Sequence, residues 1–355
     1  MVDHKIYSDE ILNRKRLLGD PPADDFIKII FADPNKKLLL QNWMYSAGGN
    51  SDSESLTTIF PEFEFISKAQ ELPSWAEPEL MSTGSALFAR HSEMIMSLLG
   101  LLSLPYCYTA AHGAMVLYVS GRIQKQTTKR LYDTAIFVWD MMDPDAFVEN
   151  GNAYQQILKV RIIHAAIRYY TLQSGKWDET WGLPVNQEDM AGTNLSFSLI
   201  VLRGLQMLGF KVSRLDQQAF LHTWAVIGYL TGLDEDMIPE NQTEAKHLDA
   251  AIKRRQFRVS THGKELTESL IGHILSVNTS KATPDDIMGL MRYLLGSEIA
   301  DMLAIKAPEL PAYKLALIRT FNLFKSFIPK GNLSQNYTNA YEAFRKLNPE
   351  LVSSI

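Results

Sequence analysis

From Gly84 onward, apolar residues return every three or four positions, the period of an amphipathic helix. The runs cover 85–103, 106–121, 127–142, 153–173, 188–209, 216–231, 243–256, 262–277 and 284–304. No stretch sustains the alternation of β-branched and polar residues that marks a strand. Helix ends are legible. Gly121, Gly175, Gly209 and Gly232 each follow a periodic run, where C-terminal glycines stand. Ser213 with Asp216 reads as an acidic capping box opening the helix of Leu221 and Trp224. Residues 1–80 differ: short helical pieces lie among the turn-rich patch Ser46–Glu54 and Pro61, Pro73 and Pro78. The pattern predicts an all-α fold, with one large helical domain over 81–308 and an irregular N-terminal extension over 1–80. Residues 309–355 add a helix, an Asn-rich connector and a final short helix packed on the same domain.

Composition narrows the picture. A chain of 355 residues, 46% apolar and 21% charged, can bury a core without staples. One cysteine, Cys107, leaves no intramolecular disulfide and no multi-thiolate metal site. With 35 basic and 40 acidic residues, net charge −5, no nucleic-acid partner is expected. The basic run Lys253–Arg255 with Arg258 reads as a solvated helix face. The N-terminus lacks an apolar h-region, so no secretory signal is seen and a cytoplasmic protein is expected. Met94–Gly121 carries no formal charge, but Pro105 and several polar residues interrupt it. It reads as two buried helices joined at Leu104-Pro105, with no stable membrane insertion.

Phosphate-cradling glycine loops, a GxSxG elbow and HExxH are all missing, which sets aside dinucleotide, NTP, α/β-hydrolase and zincin chemistry. Glu244 and His247 have di-iron spacing, yet they stand alone beside a basic run and read as surface. The informative segment is Lys159-Val-Arg-Ile-Ile-His-Ala-Ala-Ile-Arg168. Helical spacing puts His164 in an apolar stripe, with Arg161 and Arg168 one turn below and above. Small Ala165 and Ala166 let a flat group approach. Haem needs such a set: an imidazole, apolar walls and arginines for two propionates. A lone histidine on an apolar face is more often a hydrogen-bonded core residue, and both readings stand.

Two further clusters follow. Arg130 and Thr134 share a helix face, with Asp133 placed to pair with Arg130. The loop from Trp181 runs into a helix that Asn186 can cap, with Glu188 and Asp189 in its first turn. Beyond it Thr193, Asn194, Ser196 and Ser198 either bond back to the preceding turn or line a pocket.

In this order the clusters resemble the rubber oxygenase (latex-clearing protein) catalytic domain family, whose wider members include a fungal endoplasmic-reticulum oxygenase of mycophenolic-acid synthesis. The resemblance runs from Phe88-Ala-Arg-His91 to Leu303 through Ser103-Leu-Pro-Tyr106, Arg130-Leu-Tyr-Asp-Thr134, the His164 segment, Trp177–Phe197, Trp224–Gly228, Ala250–Gln256 and Leu290–Gly296. It implies a globin-like helical core around one haem b, with His164 as proximal iron ligand. It places Arg130 and Thr134 over the distal face and Thr193 in the pocket lining; Arg168 and Arg292 are inferred propionate partners, beside Arg161 from the helical spacing. Two departures stand out. Asp133 replaces a lysine that can occupy the distal iron position in rubber-cleaving members. Where those members carry a catalytic glutamate, this chain reads His112-Gly-Ala-Met115, leaving His112 and Asp133 as the candidate distal acid–bases.

These features imply a haem-dependent oxygenase taking a small hydrophobic unsaturated substrate with O₂ or peroxide. Polyisoprene is not the expected substrate, because no export signal is seen. A haem-binding sensor or carrier without turnover, and a haem-free helical scaffold with a ligand pocket, are the other readings.

Overall fold

The computed structural model of the protein describes residues 5, 7–119, 122–278, 280–325 and 332–347. In chain order the helices are α1 (Asp9–Arg16), α2 (Pro21–Ala32), α3 (Pro34–Ser46), α4 (Ser51–Ile59), α5 (Glu64–Lys68), α6 (Pro78–Leu98), α7 (Leu104–Thr109) and α8 (Ala111–Val119). Then come α9 (Arg122–Met141), α10 (Ala153–Gln173), α11 (Gln187–Phe197), α12 (Leu199–Met207), α13 (Arg214–Leu230) and α14 (Gln242–Gln256). The chain closes with α15 (Thr261–Val277), α16 (Pro284–Leu295), α17 (Ser297–Met302), α18 (Ala312–Lys325) and α19 (Leu333–Leu347). No strand occurs among the described residues; an isolated bridge pairs Ala110 with Phe257. The fold is all-α, as the periodicity predicts.

The main core is built on α6 lying along α13, the most extensive helix pair. Gly84 makes this closeness possible: a Cβ there would collide with Thr223 and the Ala219 carbonyl. Deep in this core Phe88 meets Trp139 edge-on at 4.8 Å. From outside, α19 lies on α6, and Tyr337 donates to the Trp139 carbonyl at 2.8 Å.

Three predicted runs are divided by single residues. Ala110 (ψ 85°) parts α7 from α8. Ser198 parts α11 from α12, its hydroxyl donating to Asn194 O at 2.8 Å, and Gly296 (φ +84°) parts α16 from α17. The expected joint at Leu104-Pro105 is instead a wide π-helical turn, Leu99–Ser103, continuing α6 into α7. Pro105 follows this wide turn, in the first turn of α7. Residues Pro78–Thr109 thus form a helical run long and apolar enough to cross a membrane, with half of its most apolar window buried inside the fold. Gly175, Gly209 and Gly232 follow α10, α12 and α13 with positive φ; Gly121 lies outside the described residues. Ser213 caps Asp216 N at 3.0 Å.

The N-terminal stretch is more ordered than expected. Helices α2 to α5 bring Phe26, Ile27, Ile30, Trp43, Leu56, Phe60 and Ile66 into a second, smaller core. Its aromatic centre is Phe26, edge-on to Phe60, Phe63 and Phe65. This core closes on Leu158, Ile162 and Ala165 of α10, whereas Ala153 and Ile157 of the same helix belong to the main core. Helix α10 therefore stands between the two.

The basic run is a solvated face in part: Arg254 and Arg258 are exposed, but its members are paired and Arg255 turns inward. Lys253 pairs with Glu298 at 2.9 Å, Arg254 with Asp9, and Arg255, nearly buried, with Glu188 at 2.7 Å. Glu244, expected at the surface, is buried and accepts Glu240 N at 3.0 Å, while His247 is exposed. No three His, Cys, Asp or Glu side chains among the described residues converge to hold a bare metal ion.

Candidate functional site

Helix α10 carries His164 between the two cores. One ring nitrogen, Nδ1, is sealed from solvent and has no hydrogen-bond partner. Burial, helped by the nearby Arg168 cation, pushes the imidazole down to about 4. It is therefore neutral at ordinary pH, with a nitrogen lone pair free to bind. The residue as a whole is half-buried.

Each neighbouring arginine has found a carboxylate from the N-terminal segment. Arg161 grips Asp20 with two bonds, Nε to Oδ2 at 2.5 Å and Nη2 to Oδ1 at 2.9 Å. The fork expected to take a propionate is therefore filled. Arg168, buried, gives Nε to Asp24 at 2.6 Å and Nη1 to the Val185 carbonyl at 3.0 Å, and its Nη2 has no partner. Burial pushes the Asp24 carboxyl up even against the pull of Arg168. Desolvation thus outweighs attraction, and this pair fixes position more than it stabilises. Two glycines make room: a Cβ on Gly232 (φ +93°) would collide with Asp20, and one on Gly19 would lie 2.8 Å from Asp24 Oδ2.

Helices α8 and α9 pack on each other and on α10. From α9, Arg130 Nη2 donates to the Tyr108 hydroxyl at 2.8 Å, while Nη1 is sealed without an acceptor. Thr134 donates to the Arg130 carbonyl at 2.9 Å, and Asp133 is exposed. From α8, His112 stacks on Trp181 with ring centroids 6.1 Å apart. Burial, then the cations Arg258 and Arg16, push it down to about 4. Neutral at ordinary pH, it is a weak base with no imidazolium proton to give as an acid.

The polar helix residues mostly bond backward. Thr193 donates to Asp189 O at 2.9 Å and Ser196 to Gly192 O at 2.8 Å. Both flank Cys107, whose thiol burial pushes up to about 11, so it is no thiolate. Asn186 caps α11 through Asp189 N at 3.0 Å. Glu188 and Asp189 share Arg16 at 3.2 and 2.9 Å. Arg292 ties α16 to α17, reaching Asp301 at 2.7 Å and the Ile305 carbonyl at 2.6 Å.

Asp20, Asp24, Tyr108 and Arg16 escaped the sequence reading. Only Asp20 had a local signal, as an acid directly before Pro21-Pro22 where a helix begins. The residues present fit a haem. A prosthetic iron brings its own ring nitrogens and asks the protein for one neutral imidazole. His164 offers an unpartnered nitrogen, and Arg168 offers a spare N–H.

This is an all-α protein with a half-buried histidine on a helix shared by two cores. It belongs to the family described as ER-bound oxygenase mpaB/B'/Rubber oxygenase, catalytic domain, matched over residues 89–323. A curated relative, the rubber oxygenase of Streptomyces sp. (strain K30), is 29% identical over 252 residues. That match covers 70% of this chain but 61% of the relative, less than two thirds of its length. Among solved structures, latex clearing protein LCP in the closed state shares the fold, with TM-score 0.77 and 23% identity, over 94% of this chain and 90% of that one.

Proposed function

We propose that this protein is an oxygenase that holds haem b through His164 and acts on a hydrophobic, unsaturated substrate. The observation that carries the reading is the sealed, unpartnered His164 nitrogen on the helix between two cores. Haem bound there supplies the redox-active iron for chemistry with O₂ or peroxide. The protein's own residues do the rest. Burial keeps His164 neutral and so able to ligate. Arg168, with Nη2 uncommitted, is the cation best placed in sequence to meet a propionate, since Arg161 is held by Asp20 and Arg292 by Asp301. Arg130 contributes a sealed donor to the neighbouring helix surface. Membership of a family described as an oxygenase catalytic domain supports the reaction class.

The test is an absorption spectrum of the purified protein with added haemin, before and after reduction and CO. We expect a Soret band that shifts with CO in the wild type and is lost or strongly altered in His164→Ala. A colourless wild type that takes up no haem overturns the reading. Loaded protein that binds CO yet consumes no offered alkene, polyisoprene oligomers included, is a haem-binding protein without turnover.

A further inference from the structure

Tyr108 has no part in the function proposed above, and its role here rests on that reading for the presence of haem. Tyr108, in the last turn of α7, has 1% of its surface exposed. Its hydroxyl oxygen accepts Arg130 Nη2 at 2.8 Å. The guanidinium carbon is 5.9 Å from the ring centroid, so the hydroxyl makes the close contact. Arg130 Nη1 is then left sealed with two hydrogens and no acceptor. Thr134, one turn on, turns its hydroxyl hydrogen to the Arg130 carbonyl. Burial raises the Tyr108 phenol, which keeps its own proton and is a donor too. This spot is rich in donors and short of acceptors. Native folds rarely bury such hydrogens unless something meets them.

We propose that Tyr108 is a positioning residue, holding Arg130 so that Nη1 donates to the oxygen of a small acceptor ligand. The ligand chemistry is an unprotonated oxygen, either on a diatomic held by iron or on a small free carboxylate. A guanidinium fixed at one nitrogen aims the other; a guanidinium released from the phenol rotates among several orientations.

Two measurements test this, neither of them turnover. The first is the infrared C–O stretch of the ferrous CO complex, which reports the field at the ligand oxygen. Arg130→Leu is expected to raise the frequency. Tyr108→Phe, which keeps the ring in the core, is expected to shift it less and broaden the band. The double variant is expected to match Arg130→Leu alone. The second is calorimetric binding of formate to the haem-free protein, expected to weaken by about tenfold or more in Arg130→Leu, the worth of one charge-assisted hydrogen bond. It is expected to weaken less in Tyr108→Phe. Shifts in the CO band alone assign the donor to the diatomic; formate effects alone assign it to a free carboxylate. If Tyr108→Phe matches the wild type in both measurements, Tyr108 only packs and the proposal fails. If Arg130→Leu also matches, the donor site itself fails. A wild type that takes no haem defeats the oxygenase reading, and formate binding still decides this one. Should Tyr108→Phe not fold, Arg130→Lys replaces it: retaining charge without the two-nitrogen span, it is expected to shift both readouts, and wild-type behaviour there overturns the proposal.

Discussion

Two arginine-bearing helices meet in this fold and treat their cations differently. On α10, Arg161 and Arg168 are answered by Asp20 and Asp24, delivered from a segment more than 140 residues earlier. On α9, the terminal nitrogens of Arg130 meet a neutral phenol and nothing else. A buried cation with a carboxylate is part of the architecture, because removing either partner strands a charge. Arg168 combines both, with Asp24 on Nε and a spare Nη2, whereas Arg130 has no carboxylate partner among the described residues. The largest expected effect follows from the first case. Asp20→Ala leaves Arg161 nearly buried and uncompensated, and is expected to cost about 3–5 kcal/mol in denaturant unfolding. That is a large share of a typical domain's stability, roughly 5–15 kcal/mol. A loss under about 1 kcal/mol would place Asp20–Arg161 among weak surface pairs and remove the contrast.

His164 stands on α10 between Arg161 and Arg168, and its neutrality has a pH signature in the haem-free protein. Its folded value is pushed from 6.5 down to about 4. The unfolded chain therefore binds the extra proton between those values, and stability falls as the pH drops through that window. The full contribution is present above about pH 6.5, is gone near pH 4, and amounts to about 3 kcal/mol. His112, also pushed to about 4, adds loss in the same window. His164→Gln is expected to flatten the slope of unfolding free energy against pH by the first share and leave the second. Haem loading is expected to do likewise, since a ligated nitrogen holds no proton. An unchanged slope in the variant would mean that the imidazole already reaches water.

The α10 side of this contrast was half visible in sequence. The periodicity of 153–173 put Arg161, His164 and Arg168 on one face, and α10 spans those residues. What it could not show is that Asp20, an ordinary helix-capping residue by type and place, caps nothing. Its side chain makes no cap bond to α2 because both oxygens go to Arg161. A pairing across 141 positions leaves no periodic trace. The same limit hid the second core. Its α2 does display a face in Ala23, Phe26, Ile27 and Ile30, but α4 and α5 are too brief to show one, and the set coheres against Leu158 and Ile162. Arg255 looked solvated for a related reason: its partner Glu188 begins another helix. Local chemistry fared better, as Asn186 and Ser213 show by capping the helices they precede.

The smallest expected effect sharpens the contrast most. Arg130→Leu removes a sealed, half-partnered guanidinium and fills its place with apolar volume. Losing the Tyr108 bond costs about 1 kcal/mol, while relieving an unmet buried donor returns about 1–3 kcal/mol. The net change in unfolding free energy is therefore expected near zero or toward greater stability, measured beside Asp20→Ala in the same denaturant series. A loss of about 3 kcal/mol would show Arg130 to be held as firmly as Arg161, and its spare nitrogen to be bonded in solution. Near-neutral stability joined to a changed ligand response would instead separate the arginine that builds the protein from the one that meets its ligand.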